Sequence, residues 1–279
     1  MTPLRTSEEI SAAFLAACRL ELQALKPGNV HIHAGGHGME AEQFELAAAA
    51  SAPHIAAQGL PVGTRIRRAV EASFAAAGCN TNLGILLLCV PLAYAVGEPV
   101  PGDDLKSRLA HVLAQLDRDD AAETFAAIAH ANPGGLGRSD EADVSSPAQV
   151  TLREAMAIAA DRDRIARAYV SDFADIFSFG LPLYRSAIGA AATPELAVTT
   201  LHMAYLAEFP DTHIARKYGE ATALEIRDAA RALSPNWQPV ARQESLRALI
   251  EFDSRLKVRA INPGTTADFV VATIFASRL

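Results

Sequence analysis

Alanine fills 57 of the 279 positions, against 17 glycines and 15 prolines. It is the strongest intrinsic helix former and a poor strand former, so the chain leans to an all-α fold and away from a β-sandwich or barrel. Half of the residues are hydrophobic and 20% are charged. That is enough apolar surface to bury a sizeable core, which excludes a mainly disordered chain. With no internal repeat and no dividing linker, the expectation is a single globular multi-helix bundle over residues 1–279.

The formal charge of −7 and the pI near 5.6 argue against a surface built to grip nucleic acid, which would present a broad basic face. The longest apolar run, Ile85 to Val96, contains Pro91 and falls well short of the roughly 20 residues of a membrane span. It reads as a buried core helix, and no membrane partner is expected. Cys18, Cys79 and Cys89 lie in apolar or alanine-rich stretches without metal-type spacing. They read as buried reduced thiols, and with no signal peptide visible a cytoplasmic location is expected.

Periodicity and punctuation then place the helices. Thr6 and Glu9 form a capping box that opens an amphipathic run through Phe14, Cys18, Leu22 and Leu25, and Pro27-Gly28 ends it. Helical patterns follow at about 40–58, 63–77, 82–96, 104–116 and 119–131. Residues 132–147 are rich in Gly, Ser and Asp, and at about 16 residues they exceed the median connection of about 4–6. Thr151 to Phe177 reads as one long helix or two with a kink. Shorter helices are expected near 183–191, 194–208, 219–233 and 241–256, with Pro194 at a first helical position. After Asn262-Pro263-Gly264 comes a last apolar segment, Ala267 to Leu279.

The informative polar residues are those in turns between apolar helices, where backbone amides can approach a ligand. Lys26-Pro27-Gly28-Asn29-Val30-His31 could set a cation and amides against a phosphate, or simply cap a helix C-terminus. His31, His33 and His37 are conceivable as a zinc site, although a substrate-contacting or exposed loop suits the spacing better. Asn80-Thr81-Asn82 precedes the most apolar helix, where such residues cap the helix or bind an anion. Pro133-Gly134-Gly135-Leu136-Gly137, followed by Asp140, Glu141 and Asp143, supplies glycines and carboxylates of the kind a magnesium nucleotide needs. Asp161-Arg162-Asp163-Arg164, read as lying within a helix, offers an Asp163–Arg167 pair at i,i+4 that is ordinarily a surface ion pair. Asp211, with His213, Arg216 and Lys217 behind it, is either an N-cap with a solvated turn or part of a site.

Taken in order, Lys26-Pro27-Gly28, Asn80-Thr81-x-x-Gly84, Pro133-Gly134-Gly135-Leu136-Gly137, Asp143-Val144, Thr151-Leu152-Arg153-Glu154, Arg162-Asp163-x-Ile165-Ala166 and Asn262-Pro263-Gly264 with Ala267-Asp268 resemble the triphosphoribosyl-dephospho-CoA synthase family. The resemblance implies an all-α transferase that moves the triphosphoribosyl group of ATP to the 2′-hydroxyl of 3′-dephospho-CoA and releases adenine. Where the citrate-lyase branch usually reads Lys-Pro-Gly-Leu-Val-Asp-Arg, this chain has Asn29, His31 and Ile32. Where that branch reads Asn-Thr-His-Lys-Gly, it has Asn82 and Leu83. Two cations are thereby lost, and each charged hydrogen bond is worth about 1.5–3 kcal/mol, so Arg216 or Lys217 would have to compensate. The chain looks closer to a divergent branch associated with archaea and with methylotrophs that use tetrahydromethanopterin.

Under this resemblance Asp163 or Asp211 is the catalytic base. Mg²⁺ is held by Asp143 and Asp163 with the substrate phosphates. Lys26, Asn29, His31, His37, Asn80, Thr81, Asn82, Arg162, Arg216 and Lys217 position phosphate or ribose. Two rivals stand beside it: a related group transfer in one-carbon-carrier cofactor synthesis, and a non-catalytic nucleotide-binding protein of the same fold. The expected partners are ATP and a small-molecule acceptor, with an oligomer possible.

Overall fold

The segment Leu83–Gly97 carries no charged residue and buries every residue except Gly84 and Tyr94. In a computed structural model this segment is a core helix, as the apolar run implied. The structure describes residues 4–32, 35, 38–133 and 142–279. It is 72% helical, with 14 helices and no sheet among the described residues. No helix among them is long and apolar enough to cross a membrane.

The chain groups into two compact units, each discontinuous in sequence. The first comprises residues 1–16, 43–174 and 278–279. It holds the start of α1 (Ser7–Gln23) and most of α2 (Ala41–Ile55), followed by α3 (Val62–Ala77), α4 (Leu83–Gly97), α5 (Leu105–Gln115), α6 (Arg118–Ala131), α7 (Leu152–Ala159) and α8 (Arg164–Val170). Helix α1 opens on the expected capping box, with the Thr6 amide donating to Glu9 Oε2 at 2.8 Å and the Glu9 amide to Thr6 Oγ1 at 3.2 Å.

The packing of α3 on α6 in this unit depends on Gly63. Its amide donates to Asp120 Oδ1 at 2.7 Å, and a Cβ there would meet the Asp120 backbone at 2.5 Å. Tyr169 of α8 ties to α4 by donating its hydroxyl to the Leu87 carbonyl at 2.7 Å. Of the three cysteines, Cys18 and Cys89 are buried and Cys79 is only half-buried. None of the three forms a disulfide among the described residues, and burial pushes the Cys18 thiol up from its ordinary pKa.

The second unit comprises residues 17–42 and 175–277. After a π-helical turn at Asp175–Gly180 it runs through α9 (Leu181–Ala190), α10 (Pro194–Glu208), α11 (Thr212–Tyr218), α12 (Glu220–Ala232), α13 (Leu246–Val258) and α14 (Gly264–Arg278). Its core gathers Leu25, Met203, Leu206, Ile214, Ile226, Trp237, Phe252 and Leu256 around α10, with α9 and α12 packed against that helix.

Two sequence expectations need correction here. The stretch Thr151 to Phe177 is neither one helix nor a kinked pair, but two short helices followed by the π-helical turn. The break falls at Asp163, whose carboxylate caps α8 by accepting from the amides of Ile165 and Ala166 at 2.9 and 3.0 Å. Arg167 turns back to the carbonyls of Ala160 and Asp161. No helix is expected at 212–218, but α11 forms there, with Asp211 as its cap, one of the two readings the sequence leaves open.

Candidate active site

The polar residues of the Lys26–His31 turn are buried in the second unit, because groups from three other segments satisfy them. Lys26 is fully shielded from solvent. Its Nζ donates to Glu21 Oε1 near the end of α1 and, at 2.9 Å, to Asn29 Oδ1. Asn29 passes the contact on, its Nδ2 donating to Asn262 Oδ1 at 2.8 Å. Burial disfavours charge on both members of the Glu21–Lys26 pair, raising the carboxyl and lowering the ammonium pKa, while each partner opposes the other's shift.

The turn between Lys26 and Asn29 requires glycine. Gly28 has φ +85°, and an added Cβ would meet Pro263 Cδ at 2.8 Å and Leu256 Cδ1 at 2.9 Å. Its amide donates to Asp253 Oδ1 on α13 at 2.8 Å. The other oxygen of Asp253 lies 3.0 Å from Lys257 Nζ and 3.4 Å from His31 Nε2. Burial pushes the Asp253 pKa up, but bonds from His31, the Gly28 amide and Lys257 together outweigh it and hold the carboxyl below its usual range. His31 is lowered, chiefly by burial. Behind the turn, His202 of α10 is fully buried, with Nε2 3.3 Å from the Pro27 carbonyl. Burial, with Lys26 adding to it, pushes its pKa down to about 3.

Asp211 serves two helix starts. One oxygen accepts from the Ile214 amide of α11 at 3.0 Å, the other from the Thr266 amide of α14 at 2.7 Å, and the side chain is completely buried. Thr265 adds to this junction, its hydroxyl accepting from the His213 amide at 3.1 Å. Arg216 and Lys217 fall in the last turn of α11, where Lys217 is exposed and lies 5.4 Å from the Tyr218 ring centre. The structure thus brings Lys26, Asn29 and His31 into one network, which also reaches the head of α14 through Asn262.

The remaining expected residues occupy turns of the first unit. Asn80 Oδ1 accepts from the Leu83 amide at 3.2 Å, and Ser73 donates to Asn82 Oδ1 at 2.5 Å. Thr81 Oγ1 is buried and has no hydrogen-bond partner among the described residues. Arg162 and Asp163 stand at the head of α8, and Asp143 Oδ1 accepts from the amide and hydroxyl of Ser145 at 2.9 and 2.6 Å. His33, His37, Asp140, Glu141 and Gly134 to Gly137 lie outside the described residues. Among the described residues no three His, Cys, Asp or Glu side chains are grouped to hold a metal, so they build no protein-only cage for Mg²⁺. Mg²⁺ ordinarily relies on one or two carboxylates plus substrate phosphates.

Sequence reasoning missed Glu21, His202, Asp253 and Lys257, each set on a helix face. The i,i+4 spacing of Asp253 and Lys257 was visible, but the same pattern marks many solvated helix faces.

Fold and network together define an all-α protein with a buried Lys-Pro-Gly-Asn turn locked to an Asn-Pro-Gly turn. The model of the ATP:dephospho-CoA triphosphoribosyl transferase family matches residues 7–279, so the chain belongs to that family of transferases. A solved structure from Archaeoglobus fulgidus, provisionally described as a triphosphoribosyl-dephospho-CoA synthase, shares the fold. It shows 24% identity and a TM-score of 0.63, covering 83% of this chain and 96% of its own. No curated protein matches the chain.

Proposed function

We propose that this chain joins the anomeric carbon of the ATP ribose to the 2′-hydroxyl of 3′-dephospho-CoA, with the second unit's network as part of the substrate site. In balanced form, the bond from C1′ to the adenine nitrogen breaks and a bond from C1′ to the acceptor oxygen forms. The hydroxyl proton passes to a base and adenine leaves after gaining a proton. Family membership carries the reading, and the fit of the Lys26-Pro27-Gly28-Asn29 turn onto Asn262-Pro263-Gly264 supports it, because two motifs of the resemblance meet through one amide pair. The rival one-carbon-carrier and non-catalytic readings have no comparable support.

The residues divide by role. Lys26, expected from the sequence to meet phosphate, is shielded and spent on Glu21 and Asn29, so it acts as a positioning residue. Asp211, expected as a base, has both oxygens committed to amides and serves to join two helix starts. Asp163 also caps a helix, through Oδ1, so its assignment as the base rests on the resemblance alone. Mg²⁺ would accompany the polyphosphate and offset its charge; no step is assigned to it, since the described residues form no cage. The test is adenine release from ATP, which should occur only when dephospho-CoA is also present. Adenine release independent of the acceptor, or none, would remove the assignment.

A further inference from the structure

The chain Glu21–Lys26–Asn29–Asn262 fixes the polarity of every amide along it. An amide side chain can face a neighbour with its oxygen or its nitrogen, and the hydrogen-bond network decides which. The carboxyl of Glu21 takes one N–H of Lys26 Nζ. Wherever the shared proton of this pair sits, Nζ keeps N–H bonds to donate, so Asn29 must turn Oδ1 toward it. Asn29 Nδ2 then faces Asn262, which must answer with its own Oδ1. The remaining group of Asn262 is its Nδ2.

That nitrogen has no protein partner among the described residues. Asn262 is half-buried, and Nδ2 is not among the solvent-shielded orphan atoms, so it reaches solvent. It is a pure donor at the open end of an otherwise buried relay. Lys257 on α13, whose side chain is 15% exposed, is already paired with Asp253 at 3.0 Å.

We propose that Asn262 contacts substrate directly, its outward N–H donating to an acceptor-only oxygen of a phosphate, and that Glu21, Lys26 and Asn29 are positioning residues that hold this polarity. The inference rests on the transferase reading, whose two substrates both carry phosphates. Lys26 at the buried end does not touch the ligand; it dictates which edge of a distant amide the ligand meets. A lysine buried this deeply thus serves recognition without being desolvated at each binding event.

The test is Asn262→Asp. The aspartate still offers an oxygen to Asn29 Nδ2, so thermal melting should stay close to that of the parent chain, but it presents an oxygen outward in place of a donor. KM for ATP or for dephospho-CoA should rise about 10–100-fold, the loss of one hydrogen bond to a charged group. The substrate whose KM moves identifies the phosphate. Asn29→Asp leaves Asn262 in place but reverses the amide it must present, and should raise the same KM. If both variants fold and keep the parent KM values, Asn262 is only a structural link and the inference fails. If the parent chain itself releases no adenine, the transferase reading falls first and takes the inference with it.

Discussion

Lys26 Nζ donates to Asn29 Oδ1 across 2.9 Å with both side chains buried. A lysine in a Lys-Pro-Gly turn would ordinarily be given the task of binding phosphate. Here its surroundings make it an internal strut, paired with Glu21 on one side and orienting an amide on the other.

The first consequence is for stability. Lys26→Met would leave the Glu21 carboxylate buried without its partner, and breaking a buried pair from one side costs about 3–5 kcal/mol. Adding Glu21→Gln should recover a substantial part of that loss, since the stranded charge is then gone. Urea unfolding of the single and double variants measures both terms; a double variant no more stable than the single one would contradict the pairing.

Gly28→Ala tests the turn itself. The substitution combines a left-handed φ with a Cβ 2.8 Å from Pro263 and 2.9 Å from Leu256. Backbone strain of this kind costs about 1–3 kcal/mol before any steric term, and displacing the amide from Asp253 adds to it. A fall in the unfolding midpoint accompanied by a rise in KM is expected, because the same movement carries Asn29 away from Asn262. An alanine variant with the parent midpoint would show that the turn does not need its left-handed geometry.

His202 gives a pH dependence of known sign. Its pKa in the folded chain is pushed down to about 3, against about 6.5 when unfolded. The folded state therefore binds fewer protons between these values. The stability that neutral His202 permits is full above pH 6.5 and is lost progressively as pH falls toward 3. His202→Gln, which can still donate to the Pro27 carbonyl, should lose less stability between pH 7 and pH 4 than the parent. Parallel stability curves for the two proteins would mean that the imidazole is not held neutral.

Much of the fold was readable from short-range chemistry. The capping box at Thr6 and Glu9 and the start of α10 at Pro194 fall where the residues imply, because a cap and a first-turn proline both act within one turn. Helix α11 was missed because its seven residues are too few to be stable by propensity; it forms where Asp211 and the head of α14 already fix its first turn. In the site, Lys26, Asn29 and His31 announced themselves through the proline and glycine beside them. Glu21 stands between Leu20 and Leu22 on an ordinary amphipathic helix, and Asp253 lies 225 positions from the amide it holds. Neither placement has a local signal, since only the packed unit brings these partners together.

Asp163→Asn separates a cap from a base. The asparagine oxygen can still accept from the Ile165 and Ala166 amides, so stability should change by less than about 1 kcal/mol. Adenine release should nonetheless fall by about 100-fold or more, the usual contribution of a positioned general base. Full activity in a folded variant would leave Asp163 with its capping role alone.

The most direct test of the whole account is the product balance. Purified chain, ATP and 3′-dephospho-CoA would be combined, with adenine and nucleotide products quantified together by mass spectrometry. The account predicts one adenine for each dephospho-CoA converted, the product carrying the added mass of a triphosphoribosyl group. ADP or pyrophosphate formed in place of adenine, or dephospho-CoA recovered unchanged, would contradict it.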